Sequence, residues 1–188
     1  NGLEIKEGDI LTFTNEECLG TKEKIYMRYE LFARDVEPGE KVLVDDGKLV
    51  LEVIETNKID TVKLRVLFGG VLSSNKGVNL PNTKISLPSL TEKDLKDLEF
   101  ILKQPVNWIA LSFVRSADDL IDLQRRIDEK GHPANDISKI EKHEAAAELD
   151  KIIKYSKAIK VDKGELSNEV PMEQFPMMQK VIIHKCMQ

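Results

Sequence analysis

The chain has 188 residues, 33 of them acidic and 28 Lys or Arg, for a formal net charge of −5. That length suits one domain or two small ones, and 41% hydrophobic with 32% charged residues excludes disordered and collagen-like chains. The mild acidity gives no general electrostatic basis for holding nucleic acid, no stretch approaches the roughly 20 apolar residues of a membrane span, and Cys18 and Cys186 are too few for a disulfide scaffold. Thiols used this sparingly suit a reducing, cytoplasmic compartment. The opening residues have no basic and then apolar leader and no initiator Met, so the chain is expected to begin inside a longer gene product.

From residue 3 to about 72, apolar and polar residues alternate in short runs at 10–14, 24–29, 41–44, 48–54 and 61–68. Period two puts one side of each run against a core and leaves the other polar, which predicts an all-β unit closing as a small antiparallel barrel or sandwich. Asp45-Asp46-Gly47 between two runs is a hairpin signal, and Pro38-Gly39 marks another turn. Gly69-Gly70 is expected to end the last run and open a loop reaching residue 90. The boundary falls where the period changes, giving an all-β domain over 1–74 and an α/β segment over 75–188.

Thr91 is suited to cap a helix with Leu95, Leu98, Ile101 and Leu102 on its apolar face, ending near Pro105. Residues 107–114 form a near-continuous apolar run that predicts a buried parallel strand with Trp108 in the core. Ser116 starts a helix with Leu120, Leu123 and Ile127 inward and Gly131 as its stop. A strand at 137–140, a helix at 144–155, a strand at 158–161 and a helix at 177–187 follow, with Met172, Met177, Met178 and Met187 expected to pack. Alternating strands and helices predict parallel strands in an open sheet or part of a (β/α) barrel, and three strands are too few to close an eight-stranded ring.

Lys139-Ile140-Glu141 is the most informative local group. Residues two apart on a strand share a face, so an ammonium and a carboxylate at a strand's C-terminal end are suited to neutralise a phosphoryl group and hold a divalent cation. An ordinary exposed Lys/Glu pair has the same spacing. Gly164 can offer its amide to an anion and Glu165 an oxygen to Mg2+, although a plain strand-exit turn looks alike. Lys76, near the domain junction, is placed to reach a ligand or to remain a solvated linker residue, and Arg115 to pair with a carboxylate or cap a strand end. The chain has no G-x-G-x-x-G, P-loop or G-x-S-x-G motif, and His132, His143 and His184 show no metal-ligand spacing.

Taken together, Val44-Asp-Asp-Gly47, Gly69-Gly70, Lys76-Gly-Val-Asn-Leu-Pro81, Leu87-Pro-Ser-Leu-Thr-Glu-Lys-Asp94, Ile109-Ala-Leu-Ser-Phe-Val-Arg115, Lys139-Ile-Glu141 and Pro171-Met-Glu173 with Gln179-Lys180 strongly resemble an internal segment of pyruvate kinases. The resemblance covers nearly the whole chain in the family's order. It implies a mobile lid-like β domain at the N-terminal end, followed by part of the central (β/α)8 TIM-type barrel, entered at its third strand. The implied activity is a kinase (transferase) reaction, the last step of glycolysis: phosphoryl transfer from phosphoenolpyruvate to ADP, giving pyruvate and ATP, with Mg2+ (or Mn2+) and K+. Lys139 would be catalytic, Glu141 and Glu165 metal ligands, and Lys139, Gly164 and Glu165 part of the substrate site. Lys76 would lie on the nucleotide side. Full-length members are homotetramers.

Departures cluster at the site. The family's Asp-Gly is Lys157-Ala158, its Asn after Lys-Ile-Glu is Lys142, and its Met-Val-Ala-Arg-Gly-Asp-Leu-Gly reads Lys160-Val-Asp-Lys-Gly-Glu-Leu-Ser167. Glu165 for Asp keeps the charge but lengthens the arm, and the strand before Lys139 is shorter than the family's. With the family's other barrel strands and C-terminal domain outside the sequence, the isolated chain is expected to be inactive or nearly so. The alternatives are a degenerate, non-catalytic paralogue serving binding or assembly, and a β domain that binds small anions without turnover.

Overall fold

The strict alternation of the first runs appears in the computed structural model, which describes residues 2–188. In chain order the elements are β1 (Leu3–Ile5), β2 (Ile10–Thr14), β3 (Ile25–Tyr26), a short helix α1 (Phe32–Asp35), β4 (Lys41–Val44), β5 (Leu49–Thr56), β6 (Thr61–Phe68), β7 (Gly70–Leu72) and β8 (Val78–Asn79). Six strands form one sheet in the order β3-β2-β6-β5-β4-β8, while β1 and β7 pair separately. Leu49, Leu51 and Val53 of β5 and Val62, Leu64 and Val66 of β6 are buried, with Val50, Glu52, Lys63 and Arg65 between them on the other face. Phe32 and Ala33 of α1 join this core.

The β4–β5 turn works as its residues suggest. Asp45 and Asp46 both take left-handed backbone (φ 54° and 55°), followed by Gly47 at φ 79°. Asp tolerates that region because its short side chain forms local polar contacts. Asn57 organises the β5–β6 turn by accepting the backbone N–H groups of Ile59, Asp60 and Thr61 with its side-chain oxygen.

Three features differ from expectation. The predicted strand at 24–29 contracts to Ile25–Tyr26 and runs parallel to β2, because the intervening chain returns before it pairs. Met27 and Tyr29 then leave the sheet to pack on the core. Gly69-Gly70 leads into β7 rather than a loop, and a Cβ at Gly69 would sit 2.3 Å from the Ile5 carbonyl oxygen, so close backbone approach requires glycine there. The first compact unit reaches Leu87, beyond the change of period, since β8 pairs with β4 and Thr83 and Ser86 hydrogen-bond to Glu40 and Asp35.

The second unit, Pro88–Gln188, contains α2 (Glu92–Ile101), β9 (Trp108–Leu111), α3 (Ala117–Glu129), β10 (Asn135–Ile140), a 3-10 turn (His143–Ala146), α4 (Leu149–Tyr155), β11 (Ala158–Val161), α5 (Lys163–Glu169) and α6 (Phe175–Cys186). The three strands are parallel, in the order β11-β10-β9. Thr91 forms a capping box with Asp94, and Ser116 one with Asp119, satisfying amides that a helix start leaves open. Leu120, Leu123 and Ile127 of α3 pack with Ile140, Ile152, Leu166 and Ile182 in one core.

Helices cover one face of this sheet, and that corrects several expectations. Trp108 is 49% exposed because, with Ala110, it points to the other face, while Ile109 and Leu111 are buried. Met172, Met177 and Met187 are also exposed, and Met178 alone of the four packs against the core. The predicted helix at 144–155 is interrupted where Glu148 leaves helical geometry and its carboxylate accepts the Ala117 N–H. Residues 163–169, read as a turn, are helical. Among the described residues no helix is long and apolar enough to cross a membrane.

Asp136 is fully buried; Oδ2 accepts the Lys157 N–H at 3.3 Å, and Oδ1 has no partner. Burial raises its carboxyl above the ordinary 3.8. A carboxyl raised in the folded state carries no penalty while both states are protonated, below about pH 3.8; the penalty grows as pH rises from there to the folded-state value and is constant above it. Asp136→Asn is therefore expected to stabilise the unit by about 1–2 kcal/mol at pH 7 and to lose that advantage below about pH 4, measured by urea unfolding at the two pH values. Gly69→Ala is expected to cost the first unit about 2 kcal/mol or more by the same measurement.

Candidate active site

The parallel register of the second unit gathers charge at the carboxyl ends of its strands. Ile137 pairs with Ala158 and Lys139 with Lys160, while Ile137 pairs on the other side with Ala110. Counting on by twos, Ser112, Lys139, Glu141, Lys160 and Asp162 fall on the sheet face opposite the helices. Asp136, Ser138 and Ile140 fall on the helix side and are buried.

Lys139 is the hub. Its Nζ lies 2.5 Å from Glu141 Oε1 and 3.7 Å from Asp162 Oδ2, and it donates to Ser112 Oγ at 3.1 Å. The Glu141 hydrogen bond, with Asp162 adding to it, holds this ammonium above the usual lysine range. Asp162 Oδ2 also lies 2.9 Å from Lys160 Nζ, and chiefly that bond keeps the Asp162 carboxyl below its ordinary value.

Only 1% of the Glu141 side chain is exposed. Its second oxygen, Oε2, accepts the Phe113 N–H at 2.9 Å. Phe113 stands in left-handed backbone at φ 54°, a conformation costing about 1–2 kcal/mol in a residue bearing a Cβ. The strain is local to the chain turn that aims this amide at Glu141.

A second buried pair adjoins the first. Lys142 Nζ is 2.6 Å from Glu169 Oε1 and 5.9 Å from the centre of the Phe113 ring, with His143 Nδ1 3.7 Å from Glu169 Oε2. The pair ties the residue after Glu141 to the end of α5.

The other expected residues lie as follows. Gly164 and Glu165 sit in the first turn of α5, with the Gly164 carbonyl accepting Ser167 Oγ and Asn168 Nδ2. A Cβ on Gly164 would meet Asp162 Oδ1 at 3.7 Å, an ordinary contact, so space alone does not require glycine. Lys76 lies in the first unit, where its Nζ is 3.1 Å from Asp45 Oδ1 and, with Lys48, holds that carboxyl low. Arg115 donates its amide to Asp119 and a guanidinium N–H to Ser89.

Sequence reasoning missed Ser112, Asp162, Phe113 and Glu169 as parts of this group. The signal for the first two is strand register, which places them beside Lys139 and Glu141 once β9 and β11 are aligned with β10. Phe113 and Glu169 carry no local sign of their role.

Among the described residues no three His, Cys, Asp or Glu side chains gather into a metal cage. Mg2+ is held by one or two carboxylates plus water and phosphate oxygens, and the Glu141 carboxylate at the strand end is a donor of that kind, each of its oxygens already meeting one hydrogen-bond donor, Lys139 or the Phe113 amide.

Parallel strands alternating with helices, with a lysine and carboxylates at the strands' carboxyl ends, define the class as a parallel β/α segment with its charged group where such folds carry their sites. The sequence pattern of the family "Pyruvate kinase, barrel domain" matches residues 1–188, and the chain belongs to that family. It is 40% identical over 188 residues to pyruvate kinase of Geobacillus stearothermophilus, covering 98% of this chain and 32% of that protein. It is 43% identical to pyruvate kinase of Corynebacterium efficiens, covering 92% and 36%, and 41% identical to pyruvate kinase 2 of Synechocystis, covering 96% and 31%. The chain thus spans about a third of the length of these relatives.

Breaking a buried ion pair leaves the partner charge unsolvated. Lys142→Met is expected to destabilise the second unit by about 3 kcal/mol, and adding Glu169→Leu to recover most of the loss, read from urea midpoints of the single and double variants.

Proposed function

We propose that this chain supplies part of the phosphoenolpyruvate site of a pyruvate kinase, transferring a phosphoryl group from phosphoenolpyruvate to ADP to give pyruvate and ATP. The observation that carries this reading is the Lys139 ammonium held between Glu141, Ser112 and Asp162 at the strand ends. Membership of the family supports it.

Phosphoryl transfer needs little covalent help from a protein; it needs position and neutralised charge. Lys139, fixed by Glu141 and Ser112, meets the transferring oxygens as a protonated donor and neutralises the enolate left when the phosphorus–oxygen bond breaks. Glu141, oriented by the Phe113 amide, and Glu165 would hold Mg2+ (or Mn2+). A cation held there would supply charge neutralisation for the phosphoryl oxygens. Gly164 is assigned to the substrate side and Lys76 to the nucleotide side. No group in this chain is assigned to K+.

The first unit is assigned the family's lid role, and the cytoplasm is the proposed location. Three parallel strands supply only part of a ring of eight, so the 188-residue chain alone is proposed to bind substrate weakly and turn it over at background rate.

The test is a calorimetric titration with phosphoenolpyruvate in Mg2+, beside a coupled assay for pyruvate. The expected outcome is measurable binding that Lys139→Met lowers at least tenfold, with no turnover above background. Equal binding by parent and Lys139→Met, or none by either, removes the reading.

A further inference from the structure

Lys139 has three ammonium hydrogens. Two have near partners, Glu141 Oε1 at 2.5 Å and Ser112 Oγ at 3.1 Å. On its remaining side the nearest charge is a carboxylate, Asp162 Oδ2 at 3.7 Å. That distance is too long for a strong hydrogen bond and short enough for strong Coulomb interaction. We propose that Asp162 is a positioning residue that sets the anion affinity of Lys139, competing with an incoming phosphoryl group for the ammonium's open side. This deepens the proposed function and rests on its placing a phosphoryl group at Lys139.

The charges are balanced. Lys139 and Lys160 carry two positive charges, and Glu141 and Asp162 two negative ones, all linked through 2.5 to 3.7 Å contacts. A phosphate dianion approaching this group meets no net attraction and one carboxylate on the side it must enter. Asp162 is also anchored: Lys160, two residues back on the same face, holds the oxygen that faces Lys139. Glu141 cannot take the competing part, since it is buried and fixed at both oxygens by Lys139 and the Phe113 amide. Asp162 is less buried than Glu141 and, besides Lys160 and Lys139, meets the backbone N–H of Glu165 at the start of α5, so it is the carboxylate with more room to yield. An arriving anion displaces it toward Lys160, and the cost of that displacement lowers the affinity.

A carboxylate about 4 Å from the bound charge in a partly solvated site changes affinity by roughly tenfold. The probe is inorganic phosphate, titrated into the full chain and followed by phosphorus NMR line width and calorimetry, with circular dichroism as the check on folding. Asp162→Asn is expected to bind phosphate about tenfold more tightly than the parent, with Asp162→Ser as a second neutral variant. Asp162→Glu restores the weak binding. Lys139→Met added to Asp162→Asn abolishes the gain, which a merely structural role for Asp162 would leave in place.

Unchanged or weaker phosphate binding in both neutral variants, or a gain that survives Lys139→Met, overturns the assignment. Absence of phosphate binding in every variant overturns it too. A parallel titration with phosphoenolpyruvate separates this from the functional reading. If the phosphate gain occurs without preference for phosphoenolpyruvate, the assignment of Asp162 stands and the pyruvate kinase site falls.

Discussion

Burial of the Glu141 carboxylate is the constraint around which the second unit is arranged. A charge with 1% exposure is tolerable only when both oxygens are met by donors, and here one donor is an ammonium and the other a backbone amide. The first requirement fixes Lys139 on the same strand face. The second requires the chain after β9 to turn sharply, which it does through left-handed Phe113. Parallel pairing of β9 with β10 brings the two together, so register, backbone strain and side-chain charge are one linked arrangement.

A consequence is that the charged group is polarised toward the strands' carboxyl ends while the helix-facing side of the same strands is nearly dry. Ser138 and Asp136 are the exceptions there. Ser138 shares a hydrogen bond of 2.6 Å with Ser156, and Asp136 is left with an orphan oxygen. Placing a carboxylate on the wrong face of β10 weakens the core without serving the site. The Lys142–Glu169 pair contributes differently, holding α5 against the turn that follows Glu141.

The first unit shows how far pattern reading reaches. β2, β4, β5 and β6 fall where alternation put them, because a period of two has one solution once a face is buried. β1, β7 and β8 are short and lack a repeating pattern, and they exist through pairing with partners distant in the chain. In the second unit, capping residues marked the starts of α2 and α3; α5 also starts on one, Asp162 with Glu165 three residues on, but Gly164 between them disfavours helix and masks the signal, and burial of Leu166 and Glu169 completes the helix.

The sequence by itself determined the two-part organisation, the sheet and helix types, the Lys139 and Glu141 pair, and membership of the family. These depend on local periodicity, capping and contiguous motifs, all of which are written along the chain. Only tertiary structure decided that Trp108 lies on the exposed face, that Lys76 closes on Asp45, and that Ser112 and Asp162 flank Lys139. The reason is physical. Each of these depends on which strands become neighbours and in what register, and that choice is made by the burial of residues far apart in sequence.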